Sequence, residues 1–141
     1  MVRVNLISPK LLSDQHLIAE YNELLMLRGY IKKYPKLTEI PKNYCLGKGH
    51  MMFFKNKAGY LKQRHEQIKM EMKKRGFATR VNFNISQLPK NLIKNWKPKH
   101  GDLNIIKARI IWKINNKPNY YRYYGEKKSK NFFLDLLKDK V

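Results

Sequence analysis

The chain has 141 residues, 43% of them hydrophobic, and carries 31 Lys and Arg against 10 Asp and Glu, a formal net charge of +21. That length fits one domain. The single cysteine, Cys45, excludes an internal disulfide, and no stretch reaches the roughly 18 apolar residues of a membrane span.

A positive surplus of this size calls for an anionic partner. Nucleic acid fits it best, because Lys and Arg release counterions from phosphates and the 9 tyrosines offer stacking faces. A membrane-surface protein is the rival reading. The opening MVRVNLISPK lacks the apolar run of about 7–15 residues that marks a signal peptide. The expected location is therefore the cytoplasm, in association with DNA. No Cys or His pair has ligand spacing, and no acidic cluster resembles a two-metal site. The expectation is chemistry with no metal and no cofactor.

A short amino-terminal arm comes first. The pattern then predicts a helix over 15–28, capped by Ser13 or Asp14 and ended by Gly29. Leu17, Ile18, Tyr21, Leu24 and Leu25 fall on its core face, and His16, Glu20 and Glu23 form a stripe opposite. Glycines flank Lys48 in CLGKGHMMFF. Two readings are open there: a backbone cradle for phosphate with Lys48 and His50 as donors, or a tight turn before a buried MMFF segment. A second helix is expected over 58–75, closed by Gly76, with Leu61, Ile68 and Met72 buried and Lys73, Lys74 and Arg75 complementing its dipole. The span 77–101 has little period and reads as irregular. A third helix is expected over 103–116, where Leu103, Ile106, Ile110 and Ile114 recur at three and four residues, with Asp102 as candidate cap and Pro118 preventing continuation. YYRYYG, Tyr120 to Gly125, sets Tyr120, Tyr121, Tyr123 and Tyr124 around Arg122, a pattern for stacking on bases and touching phosphate, or for packing a chain end onto the core. NFFLDLL, near the end, can form a short extra helix.

The chemistry expected at the start of the chain rests on the α-amine. Its pKa of roughly 7.7–8.0, against about 10.4 for lysine, leaves on the order of a tenth of it uncharged at neutral pH. It is a ready nucleophile for an aldehyde-like carbon, giving an imine. Removal of Met1 before the small Val2 would make the Val2 amine the nucleophile. Glu23 is the carboxylate best placed to stabilise positive charge and move protons; an ordinary solvated helix residue is the competing reading of both Glu20 and Glu23.

RVNL, DQHLIAEYNEL, LGKGHMMFF with the following KRGF, and AR followed by YYRYYG together resemble the pyrimidine-dimer DNA glycosylase, or endonuclease V, family. The resemblance spans 1–125 and leaves 126–141 as a basic carboxy-terminal extension. It implies an all-α single domain of three main helices with long irregular loops and an aromatic carboxy-terminal segment. It further implies a monomeric glycosylase and abasic-site lyase acting on double-stranded DNA that contains a cyclobutane dimer. In such enzymes the terminal amine attacks C1′, the imine permits β-elimination, and the adenine opposite the dimer is flipped. Glu23 matches the essential acid. Arg3, Gln15 and His16 match residues that contact DNA around the lesion, and Arg109 and Lys113 match basic residues near phosphates.

The chain departs from that pattern in four places. Val2 replaces a threonine, Asn22 and Met26 replace arginines that bind substrate, and Tyr120 replaces a tryptophan. A shifted lesion preference, toward an oxidised or ring-opened purine, follows as one alternative. A non-catalytic basic DNA-binding protein is the other.

Overall fold

The computed structural model describes residues 3–37 and 39–138. The first helix, α1 (Asp14–Lys33), starts where Ser13 accepts the backbone N–H of His16. It does not stop at Gly29. Leu24, Leu27 and Ile31 continue one fully buried stripe through that glycine, and burial outweighs the ~1 kcal/mol that glycine costs inside a helix. Lys32 and Lys33 then occupy the last turn, where cations suit the dipole.

A 3-10 turn at Gly47–Gly49 leads into the short α2 (His50–Phe53), and α3 (Ala58–Lys74) packs along α1. Leu61, Ile68 and Met72 are buried on α3. Gly76, with φ of 86°, turns the chain away after α3. Between these helices lies a buried ion pair. Arg64 donates from Nε and Nη2 to the Glu20 carboxylate at 2.6 and 3.0 Å, and from Nη1 to the carbonyl of Ile7 at 2.6 Å. Glu20 is therefore not on a solvated stripe: it is 0% exposed. Period alone cannot separate a solvated face from one covered by a second helix.

The span after α3 is irregular apart from a 3-10 turn at Lys90–Leu92, as its lack of period predicts. The helix α4 (His100–Asn116) begins earlier than its apolar period. Asp102 accepts the backbone N–H of Lys99 from the third helical position, so it closes a capping box and is not itself the N-cap. Ile106, Ile110 and Ile114 are its buried face. A hairpin follows, β1 (Arg122–Tyr123) with β2 (Glu126–Lys127), and then α5 (Lys130–Lys138), which packs on α4 and buries Phe133 and Leu137. The result is a mostly α single domain. No described helix is long and apolar enough to cross a membrane.

The hairpin turn is held by charge. Tyr124 and Gly125 both have positive φ, 54° and 81°, which suits a two-residue hairpin but is uncommon for tyrosine. The Asp14 carboxylate accepts both of their N–H groups, at 3.1 and 2.7 Å. Arg75 ties this together. It pairs with Glu71 and Asp14, donates to the carbonyl of Leu12, and lies 4.5 Å from the centre of the Tyr123 ring. Arg75 is thus a buried hub rather than a cation on the surface of the last turn.

Removing Glu20 leaves Arg64 buried without its counter-charge, a change that costs about 3–5 kcal/mol. The variant Glu20→Ala is expected to lower the urea midpoint accordingly, at an unchanged denaturant slope. An unaltered midpoint would show that the pair does not hold α1 to α3.

Candidate active site

Three segments meet around a cavity of about 390 Å³. The arm contributes Arg3 and Asn5, α1 contributes His16, Ala19, Asn22, Glu23 and Met26, and α4 contributes Arg109, Ile110 and Lys113. Helical spacing explains the α1 set: three- and four-residue steps bring these residues onto one wall. The arm gets there through several anchors. Val4 is fully buried, its N–H donates to His50 Nε2 at 2.9 Å, and its carbonyl accepts the Tyr44 hydroxyl at 3.1 Å. Leu6 then bends the chain at φ of 59°, and Arg64 fixes the carbonyl of Ile7. A non-glycine residue with positive φ is held only where its surroundings impose it.

Burial in this cavity raises the Glu23 carboxyl from 4.5 to about 7. Glu20, one turn away, pushes it further in the same direction, while Lys113 and Arg3 oppose the rise. A carboxyl poised near neutrality both gives and takes protons at working pH. His16 moves the other way, down to about 4, through burial and then through Lys113. It is therefore a neutral imidazole, hydrogen-bonded through Nδ1 to Ser13 Oγ at 2.9 Å and with its ring stacked on Tyr121. Burial lowers Lys113 as well, helped by Arg109 and Arg3. Crowded cations facing a cavity attract an anionic backbone.

The structure brings together Arg3, His16, Asn22, Glu23, Arg109 and Lys113, and it scatters the remaining candidates. Gln15 borders a neighbouring cavity with Lys117, Tyr120 and Arg122. Its amide bridges the backbone there, donating to the carbonyl of Tyr120 and accepting from the N–H of Arg122. Tyr120 is half exposed and Arg122 is exposed. Tyr121 is buried beneath His16 and Phe133, so its faces are not open to a base. Tyr123 packs on Phe132 and donates to the carbonyl of Lys10. Tyr124 serves the turn and donates its hydroxyl to Glu71. Val2 lies outside the described residues; Arg3, covalently next to it, is the first described residue.

The turn reading of CLGKGHMMFF is the one the structure supports. Gly47 takes a φ of 76°, and a Cβ on Gly49 would sit 2.9 Å from Cys45 Sγ. His50 is buried with both ring nitrogens engaged, Nε2 by Val4 and Nδ1 by the carbonyl of Cys45. It does not contact phosphate, because it holds the arm. Lys48 is exposed on the turn and does not line the cavity with Glu23.

A family profile described as pyrimidine dimer DNA glycosylase matches residues 1–85, more than half of the chain. The chain belongs to this family. Membership in the pyrimidine dimer DNA glycosylases makes it a DNA repair glycosylase with DNA as substrate. The matched span holds the arm, α1, the glycine turn and α3. Arg109 and Lys113 reach the cavity from beyond it.

Sequence reasoning missed Asn5, Ala19 and Ile110 on the cavity wall, and Tyr44 as a partner of the arm. Asn5 stands inside RVNL and Ile110 directly follows the AR pair, so both motifs carried a signal. Nothing local marks Tyr44, whose bond spans 40 positions.

The Glu23 shift has a stability signature. A carboxyl raised in the fold adds stability that is fully present below its unfolded value of 4.5 and is lost as pH rises through about 7. Above that range the wild type carries a poorly solvated charge, which Glu23→Gln removes. The Gln variant is therefore expected to gain melting temperature relative to wild type at pH 8, and to gain much less at pH 5. Equal differences at the two pH values would mean the carboxyl is not raised.

Proposed function

We propose that the chain excises cis-syn cyclobutane pyrimidine dimers from duplex DNA through an imine on its own α-amine, and then nicks the strand. The observation that carries this reading is Glu23, raised to about 7 in a cavity it shares with Arg3, Arg109 and Lys113. Arg3 is covalently adjacent to Val2, whose amine is the nucleophile once Met1 is removed.

The amine attacks C1′ of the 5′ nucleotide of the dimer. A C1′–N bond forms, the glycosidic C1′–N1 bond breaks, and the freed base stays joined to its neighbour through the cyclobutane ring. The proton that the amine sheds goes to the departing base, and the Glu23 carboxyl protonates O4′ as the sugar opens; the protonated imine that results acidifies the protons on C2′. Glu23 stabilises the positive charge that develops and takes a C2′ proton; the 3′ phosphate leaves, and hydrolysis returns the free amine. Arg109 and Lys113 hold the phosphates, and Arg3, Gln15 and His16 contact the DNA around the lesion. Tyr120 and Arg122 extend the contact along the strand, and the opposite adenine is flipped from the stack.

A second reading concerns the lesion. Asn22 and Met26 line the cavity where the family pattern has arginines, and Met26 is 61% exposed. Two missing charges on the substrate wall fit a preference shifted toward an oxidised or ring-opened purine, with the same amine chemistry.

Duplexes carrying one thymine dimer, one abasic site or one oxidised purine test both readings, in EDTA. The dimer duplex is expected to be nicked. Glu23→Gln is expected to keep DNA affinity within a few-fold and to lose about 10²–10⁴ in nicking rate, the range for a positioned acid–base group. Nicking of the purine duplex in preference to the dimer selects the second reading. Salt-sensitive binding that ignores damage, with no nicking of any duplex, leaves a DNA-binding protein without catalysis.

A further inference from the structure

We propose that His50 and Tyr44 are positioning residues for the amine: they hold the main chain of Val4 from both sides and so aim the nucleophile two residues upstream. This inference rests on the imine mechanism above.

A chain terminus normally frays unless it is tied down. A nucleophile cannot fray, since a displacement of about 1 Å costs on the order of 10²-fold in rate. The arm carries no secondary structure of its own at Arg3–Leu6, so helix or sheet bonds do not hold it. Close to the amine, both the N–H and the carbonyl of Val4 are held. His50 Nε2 accepts the N–H at 2.9 Å, and the Tyr44 hydroxyl donates to the carbonyl at 3.1 Å. Val2 is at most about 7 Å of chain from that clamp.

The clamp is itself rigid. His50 is 2% exposed and Tyr44 is 3% exposed, and their rings meet edge to face at 5.4 Å. Phe54 closes on both rings, and Phe53 packs edge-on against Tyr44. The carbonyl of Cys45 takes the Nδ1 proton of His50, leaving Nε2 free to accept from Val4. A Cβ on Gly49 would sit 2.9 Å from Cys45 Sγ and 3.3 Å from Pro41 Cγ, so the turn before His50 is tightly packed. On this reading the glycine turn serves to present His50 to the arm. Both bonds go to backbone atoms, so they constrain where residue 4 lies without depending on its side chain.

The test is single-turnover borohydride trapping on an abasic duplex, run beside equilibrium DNA binding and thermal unfolding. In His50→Ala the Val4 N–H loses its acceptor, and trapping is expected to slow by about 100-fold, the scale of a 1 Å misplacement, with the dissociation constant for DNA within about two-fold of wild type. His50→Gln, whose amide oxygen can accept the same N–H, is expected to recover most of that loss. Tyr44→Phe keeps the ring and removes only the hydroxyl, and is expected to slow trapping by roughly ten-fold. Wild-type trapping rates in both His50→Ala and Tyr44→Phe would overturn the proposal. So would a parallel loss of trapping, binding and melting temperature that Gln does not rescue, since that marks a folding role alone. Absence of any trapped product in the wild type would instead sink the imine mechanism, and this inference with it.

Discussion

The buried contact between Glu20 and Arg64 is the constraint on which the site depends. It joins α1 to α3, and the same guanidinium reaches the carbonyl of Ile7, so the residue that fixes the helices also fixes the arm. Two ions taken from water need full pairing to be tolerated. Arg64 meets that condition with two bonds to carboxylate and one to backbone, and the arm is what completes the set. The chain's start is thus part of the core's charge balance. Anything that loosens the arm leaves a buried arginine short of an acceptor.

A second buried arginine does the same for the other end. Arg75, with Asp14 and Glu71, ties the start of α1 to the end of α3 and to the aromatic hairpin. The hairpin follows α4 directly, and α4 supplies Arg109 and Lys113 to the cavity. The extension folds back as α5 against α4, burying Phe133 and Leu137. With only 10 acidic residues in the chain, the placing of Asp14, Glu20 and Glu71 in buried pairs is informative. These carboxylates hold the frame, while Glu23 sits half-buried in the cavity among cations. Its raised pKa follows from burial that those cations do not fully offset.

Much of this was legible from the residues alone. The periods in 58–75 and 103–116 gave the helices and their buried faces, and Ser13 gave the cap of α1. The family resemblance grouped Arg3, Gln15, His16, Glu23, Arg109 and Lys113; the fold sets five of them around one cavity and Gln15 on a neighbouring one. What escaped were contacts between distant segments. Glu20 reads as a solvated helix residue and Arg75 as a complement to the helix dipole because their partners lie 44 and 61 positions away. His50 read as a phosphate donor because glycines beside a cation look the same whether they approach a ligand or their own loop. Gly29 read as a helix end because its local cost is visible in sequence, whereas the burial of Ile31 that offsets it is not.

The central claim is that the amine, held by the clamped arm and served by Glu23, is the nucleophile. The most direct measurement is peptide mass mapping of the covalent product formed when the protein, a duplex with a single thymine dimer and borohydride are combined in EDTA. The cross-link is expected on the amino-terminal residue, Val2 when Met1 is removed, and to vanish when that amine is blocked beforehand. A cross-link on a lysine, or a dimer duplex nicked with the terminal amine blocked, would contradict it.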